Sequence, residues 1–481
     1  MHKRLRPLAL AAVLLTGGCS LAPHYDRPNA PVAGTYPDGP AYLQTTTGKV
    51  GAAAADIGWQ DFFGDPQLKQ LLTLALQNNR DLRVAMLNVQ AARAQYRIER
   101  ASLFPTIGAN ASQSRGRMPA DLTTPNVYQA GANVQWELDF FGRLQSLKDQ
   151  AFYQYLATAQ AHKAAEILLV SEVADQYLVW RAAQEQLKVS EATLVSAQAS
   201  YQLAEDQFHA GTASALDVAQ ASTIIDQAHA NLAAQTRARA QAENALVLLV
   251  GAPLPADLPD ALPFDDQHMV APVPAGLPAD LLTRRPDIVA AEDTLRAANA
   301  NIGAARAAFF PTIALTGSGG TASTMLSGLF KAGSAAWSFV PSLTMPIFTA
   351  GSNLANLDLA HVEKNIAVAQ YQKTIQTAFR EVADGLAAAG TYGGQLDAQM
   401  HYTADYQRTL DLSTLRYSTG TDSYLQVLTA QNALYSAQQD EITTRLNDWS
   451  ARVDLYAALG GGWLAHTGEQ PRAAGAEPES S

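Results

Sequence analysis

The sequence predicts a mainly helical chain that carries four short β-strands, with one plan written twice. Three observations point there: an internal echo, two stretches of strict alternation and two long heptad runs. The echo appears when the 481 residues are slid over themselves by 206 positions, so that 81–112 faces 287–318 without a gap. Of the 32 pairs 12 are identical, but five are Ala–Ala and carry little weight. The remainder are Asp81/Asp287, Arg100/Arg306, Phe104 to Ile107 against Phe310 to Ile313, and Ser112/Ser318. A second echo, at offset 209, sets "FHAGTASALDVAQA" (208–221) against "YSTGTDSYLQVLTA" (417–430).

The alternation is clearest in "YQAGANVQWELDF" (128–140). Tyr128, Ala130, Ala132, Val134, Trp136, Leu138 and Phe140 fall on one face, and Gln129, Asn133, Gln135, Glu137 and Asp139 on the other. A period of two cannot make one apolar stripe on a helix, so this is a strand. In 337–347, Trp337, Phe339, Pro341, Leu343, Met345 and Ile347 share a face in the same way. Pro341 and Pro346 lack a ladder donor, which assigns this strand to a weakly paired margin. Each "PTI" opens a partner strand, because Pro ends the preceding helix and favours extended geometry before it. The expected strands are 105–115, 127–140, 311–319 and 337–348. Strands of this length, apolar on one face, suit a bilayer. Four of them cannot close a barrel, and an open edge is not tolerated in lipid. Either the strands form a soluble sheet with one buried face, which shows the same period, or several chains pool them.

The helices follow from the heptads. Val173, Trp180, Leu187, Leu194, Tyr201 and Phe208 recur every seven residues, with small Ala183, Ser190, Ala197 and Ala204 three positions after most of them. Leu354, Val368, Ile375, Val382, Ala389, Leu396, Leu410 and Tyr417 keep the same period, interrupted by His361 and Thr403. A strict heptad defines a continuous coiled-coil seam. Helices are therefore expected over 143–208 and 352–417, each a rod of about 100 Å at ~1.5 Å per residue. Gly211 and Gly420 supply the left-handed residue that ends each rod. Ser214 with Asp217, and Ser423 with Gln426, resemble capping boxes that start the returning helices, 214–249 and 423–459. Helices 66–103 and 278–309 lead into the hairpins. This gives a first repeat over 65–276, with a linker at 250–276, and a second over 277–463. The polar segment 464–481 reads as a disordered tail.

Composition narrows the function. A formal net charge of −11 and a pI near 5.3 leave no basic footprint for nucleic acid. No apolar run is long enough for a transmembrane helix, in keeping with a mean hydropathy of −0.07. His2, Lys3, Arg4 and Arg6 precede the short apolar core "PLALAAVLLTGG", which reads as a signal peptide over 1–18. The only cysteine, Cys19, follows at once. "LLTGGC" resembles a lipobox, with Thr16 where Leu is usual, so 19–64 is expected to be a lipidated N-terminal segment. By resemblance to lipoprotein sorting, Ser20 behind Cys19 directs the chain to the outer membrane. Nothing resembles a nucleophile elbow, a phosphate loop or a metal set, His361 included, so neither an enzyme nor a cofactor beyond the lipid on Cys19 is expected.

The assembled pieces resemble the TolC-like outer membrane factors, nearest to the OprM/NodT-type lipoproteins that serve resistance-nodulation-division pumps. The residues that carry the resemblance are "CSLAPHYDRP" (19–28), "WELDFFGR" (136–143), "RRPDI" (284–288), "FFPTI" (309–313), "PIFTAG" (346–351), "YSTGTDSYLQVLTAQNALYSAQ" (417–438) and "LGGGW" (459–463). It implies a homotrimer whose 12-stranded β-barrel, four strands per chain, continues into a periplasmic α-helical barrel. It also implies an adaptor protein and an inner-membrane, proton-driven transporter as partners. The periplasmic tip would then be the gate. Asp217 and Tyr417 resemble a carboxylate–tyrosine link of the closed state, Arg416 stands beside it, and Leu425 matches a narrowing apolar ring. Phe208 and Leu216 belong to the same tip. Gly211, Thr212, Ser214, Gly420, Thr421 and Ser423 form the hairpin turns that an adaptor would contact. Gln426 and Thr429 replace carboxylates frequent in relatives, which leaves no anionic ring there.

The residues also leave bland readings open: a helix cap for Asp217, seam packing for Tyr417 and Phe208, a solvated charge for Arg416. Two alternatives to an efflux duct stand beside it. One is the outer component of a type I secretion or metal-efflux system; the other is a lipid-anchored periplasmic scaffold without a pore, which would have no use for 128–140.

Overall fold

The computed structural model describes residues 20–42, 53–116, 126–266, 268–271 and 278–468. Cys19, the signal peptide, the first hairpin loop at 117–125 and the tail beyond 468 lie outside the described residues. The helices are α1 (Trp59–Phe62), α2 (Pro66–Asn78), α3 (Arg80–Ala101), α4 (Arg143–His209), α5 (Ala215–Val250), α6 (Pro278–Arg284), α7 (Pro286–Ala307), α8 (Ser352–Ser418) and α9 (Tyr424–Ala458). The strands are β1 (Thr106–Arg115), β2 (Asn126–Leu138), β3 (Thr312–Ser323) and β4 (Ala335–Thr344). Both rods, α4 and α8, are 67 residues long.

The chain forms two compact units, and each takes pieces from both repeats rather than one repeat apiece. The first unit comprises residues up to Ala30, Leu87–Ala159 and Ala290–Lys373, and it contains the whole sheet. The order is β1-β2-β3-β4, antiparallel throughout. Register brings most large apolar residues of the four strands onto one face, with Val127 and Val340 on the other. Ile107, Val134, Gly317 and Phe339 lie in line, as do Trp136, Leu315 and Pro341, and Leu138, Ile313 and Leu343. The other face carries Asn133, Ser318 and Ser338, then Thr106, Gln135 and Thr316. Gly131 and Gly320 pair where β2 meets β3 closely; a Cβ on Gly131 would sit 2.6 Å from the Gly319 carbonyl oxygen. Pro341 stands in the edge strand β4, where a missing donor is tolerated. That strand ends at Thr344 rather than 348, before Pro346, and β3 runs on to Ser323 rather than 319.

"WELDFFGR" joins β2 to α4 in this unit. Arg143 donates through Nη2 to both Glu137 carboxylate oxygens at 2.8 Å, and Asp139 accepts the Gln145 amide at 2.7 Å in the first turn of α4. Gly142 takes the positive φ of 69° that the turn needs.

The second unit comprises Pro31–Met86, Gln160–Val289 and Thr374 onward. Its seam follows the heptads. Ala183, Ser190, Ala197 and Ala204 are all buried, as are Val173 and Trp180. Thr403 breaks the apolar pattern but donates to the Ala437 carbonyl of α9 at 3.3 Å, so it belongs to the seam as a polar link. Two earlier positions do not: Leu354 and His361, in the first unit, are exposed, and Ala360, Ala367 and Tyr371 form the buried row of α8 there instead.

The structure departs from the expected elements in four further places. The helix expected over 66–103 is two helices. Asn79 ends α2 and caps α3, accepting from the Leu82 amide at 2.9 Å while donating to the Leu249 carbonyl at 2.8 Å. The helix expected over 278–309 breaks at Arg285, ahead of Pro286. Residues 464–468 are not free tail: Leu464 is buried, and its carbonyl accepts from the Trp59 amide at 2.9 Å. Likewise, 54–64 is not a loose leader, since Trp59, Phe62 and Phe63 are core residues and Phe62 stacks on Tyr456.

Two carboxylate–arginine knots hold this unit. Asp65, fully buried, caps α2 and also accepts from the Tyr177 hydroxyl at 2.9 Å and the Leu262 amide at 3.1 Å, with Arg181 3.7 Å away. Arg285 of "RRPDI" donates to Asp287, to Glu381 of α8 and to the Ala458 carbonyl that closes α9.

Candidate functional site: the paired hairpin turns

Both hairpin turns lie in the second unit and share one backbone design. Gly211 and Gly420 have φ of 76° and 72°. The Gly211 amide donates to the Phe208 carbonyl at 3.0 Å and the Thr212 amide to Gln207 at 2.9 Å. In the second turn the Gly420 amide donates to Tyr417 and the Thr421 amide to Arg416, both at 2.9 Å. These are Schellman closures, which satisfy the orphan carbonyls at the end of each rod.

The side chains differ. In the first turn Ser214 and Asp217 form the expected capping box: the Asp217 amide donates to Ser214 Oγ at 3.2 Å, and Asp217 Oδ2 accepts from the Ser214 amide at 2.8 Å. The matching box at Ser423 and Gln426 does not form; Ser423 stands at the N-cap of α9 without a side-chain cap bond. The second turn is held instead by Arg416, which donates from Nε and Nη2 to the Asp422 carboxylate, the latter bond at 3.0 Å. The two residues stand six apart astride Gly420, and sequence reasoning did not connect them. This pairing raises the Arg416 pKa and lowers that of Asp422.

The turns are joined by a small core of Ala204, Ala221, Tyr417, Tyr424 and Val427. Tyr417 and Tyr424 meet edge-on at 5.2 Å. Below them Gln431 of α9 donates to Ser200 of α4 at 2.8 Å. The Tyr417 hydroxyl is buried and has no hydrogen-bond partner among the described residues. Burial first, and the nearby Asp217 charge second, raise its pKa. Burial pushes Tyr424 up to about 12, with Tyr417 adding to it. Sequence reasoning missed Tyr424, whose place opening α9 concealed that it packs back on the seam.

The remaining tip residues are apolar and exposed. Phe208 does not continue the seam as Tyr417 does; at the last turn of α4 it lies open beside His209. Leu216 and Leu425, equivalent in the two repeats, are 64% and 49% exposed. Thr212 bonds back to the Gln207 carbonyl and Thr421 meets Thr419, so both threonine hydroxyls serve their own turns.

A doubled helical hairpin joined to a one-faced four-stranded sheet defines a class, and comparison with known proteins names it. The outer membrane efflux protein family matches residues 71–252 and 277–461, one match in each repeat, and the chain belongs to that family. Among its relatives, the solvent efflux pump outer membrane protein SrpC of Pseudomonas putida is 49% identical over 466 residues, covering 96% of this chain and 99% of that protein. Outer membrane protein OprJ of Pseudomonas aeruginosa is 45% identical over 462 residues, 95% of each chain. The open state of the Neisseria gonorrhoeae MtrE outer membrane channel superposes with a TM-score of 0.85 at 39% identity, covering 94% of this chain and all of that one. Relatives named for efflux do not favour the secretion or metal-efflux alternative.

Proposed function

We propose that the protein is the outer membrane exit duct of a tripartite efflux pump, and that it is a conduit, not an enzyme. Three copies pool twelve strands into a barrel, and the paired rods of each copy line a periplasmic tunnel below it. The observation that carries this reading is the sheet: its apolar face is exposed, with Trp337 at 82% and Leu343 at 64%, and its opposite face is mostly small or polar, with Ser, Thr, Asn and Gln prominent and Val127 and Val340 the large apolar exceptions. A sheet that exposes its aromatic face suits lipid outside and water inside, whereas the soluble sheet that the same alternation allows would bury that face within its own chain. Both edges, β1 and β4, are unpaired among the described residues, which lipid does not allow. Other copies would cover them.

The tip is the gate in this reading. Threefold symmetry turns Leu425 and Leu216 into rings of three, and an apolar ring closes a pore by dewetting. The Tyr417 hydroxyl, buried without a partner, waits for one on a neighbouring copy, with Asp217 beside it. Names such as solvent, toluene and antibiotic efflux pump among the relatives support small toxic organic compounds as cargo. A periplasmic adaptor that grips the turns at Thr212 and Thr421, an inner-membrane transporter of the resistance-nodulation-division type, and acylation of Cys19 complete the proposal. Reconstitution into planar bilayers tests it. The wild type is expected to form a largely closed trimeric channel, and Asp217→Ala and Tyr417→Phe to raise its conductance. Unchanged conductance in both removes the gate assignment; a monomer that forms no channel removes the duct.

A further inference from the structure

The signature "HYDRP" has no part in the gate or the sheet. Residues 20–28 instead run as an extended strap along α7, antiparallel to it, within the first unit. Its partners recur down one stripe of the helix. Arg27 donates from Nε to Glu292 Oε1 at 3.0 Å and from Nη2 to Oε2 at 2.6 Å, and the Tyr25 hydroxyl donates to Oε1 at 3.1 Å. Arg296 lies over the Tyr25 ring at 5.2 Å. Asn299 donates to the Pro23 carbonyl at 2.8 Å, and Arg306 to the Leu21 carbonyl at 3.1 Å. Between them Gly303 is hemmed in by both Ser146 of α4 and the strap; a Cβ would lie 2.5 Å from Ser146 Oγ and 2.8 Å from the Ala22 nitrogen. Spacings of four and three keep all five helix positions on one face.

The charges show what the stripe is built for. Glu292 and Asp293 are 2% and 3% exposed, and Arg296 is shared between them, at 2.8 Å and 3.1 Å. With the strap in place two buried carboxylates face Arg296, and one guanidinium divided between them would leave a charge uncompensated, which is costly in a buried site. Arg27 supplies the missing cation, with two parallel bonds that fix direction as well as charge.

We propose that the Glu292–Arg296–Asn299–Gly303–Arg306 stripe is a recognition site for the N-terminal strap, which it holds in a single register. The charge clamp at Tyr25 and Arg27 selects the segment. The two carbonyl contacts then lay the preceding residues along α7 towards its final turn, just ahead of β3. Ser20, the first described residue, therefore stands at a fixed place beside α7. If Cys19 is acylated, as the proposed function has it, the lipid and the sheet enter the same bilayer from neighbouring points. The stripe itself does not depend on that reading.

The test uses the full-length protein in detergent and in nanodiscs. Cys19 is the only cysteine, so a Cys19→Ser, Ser20→Cys chain takes one nitroxide label. Its spectrum is expected to be mainly immobile. Arg27→Gln, a change on the half-exposed strap side that spares the helix core, is expected to convert it to a mainly mobile one, as is Glu292→Gln. Three glycines inserted after Pro23 should free the label, and the same insertion after Ala30, beyond the clamp, should not. A label already mobile without these changes, an Arg27→Gln spectrum unchanged from its parent, or equal effects of the two insertions would overturn the proposal. Transport is not part of the readout, so a failure of the duct reading leaves this result standing.

Discussion

The two hairpin turns share a backbone and differ in what fastens them. Both close on a left-handed glycine with the same pair of amide bonds. The first is then fastened by a helix cap, Ser214 with Asp217, and leaves Phe208 exposed. The second is fastened by an ion pair across the turn, Arg416 with Asp422, and buries Tyr417 at the position equivalent to Phe208. Duplication therefore preserved what the backbone requires and let the side chains diverge. One turn carries the core of the tip; the other presents an aromatic to whatever lies outside the chain.

The largest expected effect separates the two aromatics. Tyr417→Ala removes a buried ring that packs on Tyr424, Ala204 and Val427, and should destabilise the tip by about 3 kcal/mol. Phe208→Ala, at the equivalent position, should change it by no more than about 0.5 kcal/mol in a single chain. Amide hydrogen exchange in the first turns of α5 and α9 measures both. A similar loss in each would mean that Phe208 is covered in the assembled protein, which would sharpen the contrast into evidence for an interface.

How far the sequence reached can be seen residue by residue. Period-2 alternation assigned the apolar face of β2 correctly, because a strand offers only two faces. It could not supply the register that aligns Val134 with Ile107, Gly317 and Phe339, since register depends on pairing between distant segments. Heptads located both rods to within a residue at each end. They gave no warning that Asn79 would end one helix and cap another, because a buried Asn is chosen by its partner, here the Leu249 carbonyl. Arg416 illustrates the same limit at the tip. Its neighbours in sequence mark it as a solvated charge, and only the fold of the turn brings Asp422 to it. Glu292 is the extreme case: its partners are Tyr25 and Arg27, far away in the chain, and no local pattern announces them.

A smaller effect should distinguish the caps. Ser214→Ala removes an acceptor for the Asp217 amide and should cost about 1 kcal/mol. Ser423→Ala removes no cap bond and should be close to neutral, although the two serines are equivalent in the echo. The same exchange experiment, read at the first amides of α5 and α9, compares them directly. Equal losses would show that Ser423 acquires a cap in the assembled protein.

The smallest effect concerns pH. Arg416 holds the Asp422 carboxylate below its ordinary pKa. A lowered folded-state pKa contributes stability that is fully present above the unfolded value, about 3.9 for Asp, and is lost as pH falls through the lowered one. The second turn should therefore keep its order from pH 8 to about 5 and loosen only below the usual carboxylate range. Both groups are exposed, so salt should weaken the clasp at every pH. A nitroxide on Thr421→Cys in the Cys19→Ser background follows the turn, and Asp422→Asn should remove the pH step while leaving the Gly420 closure intact. A step that persists in Asp422→Asn would assign it to another carboxylate, with Asp217 of the opposite turn the first to examine.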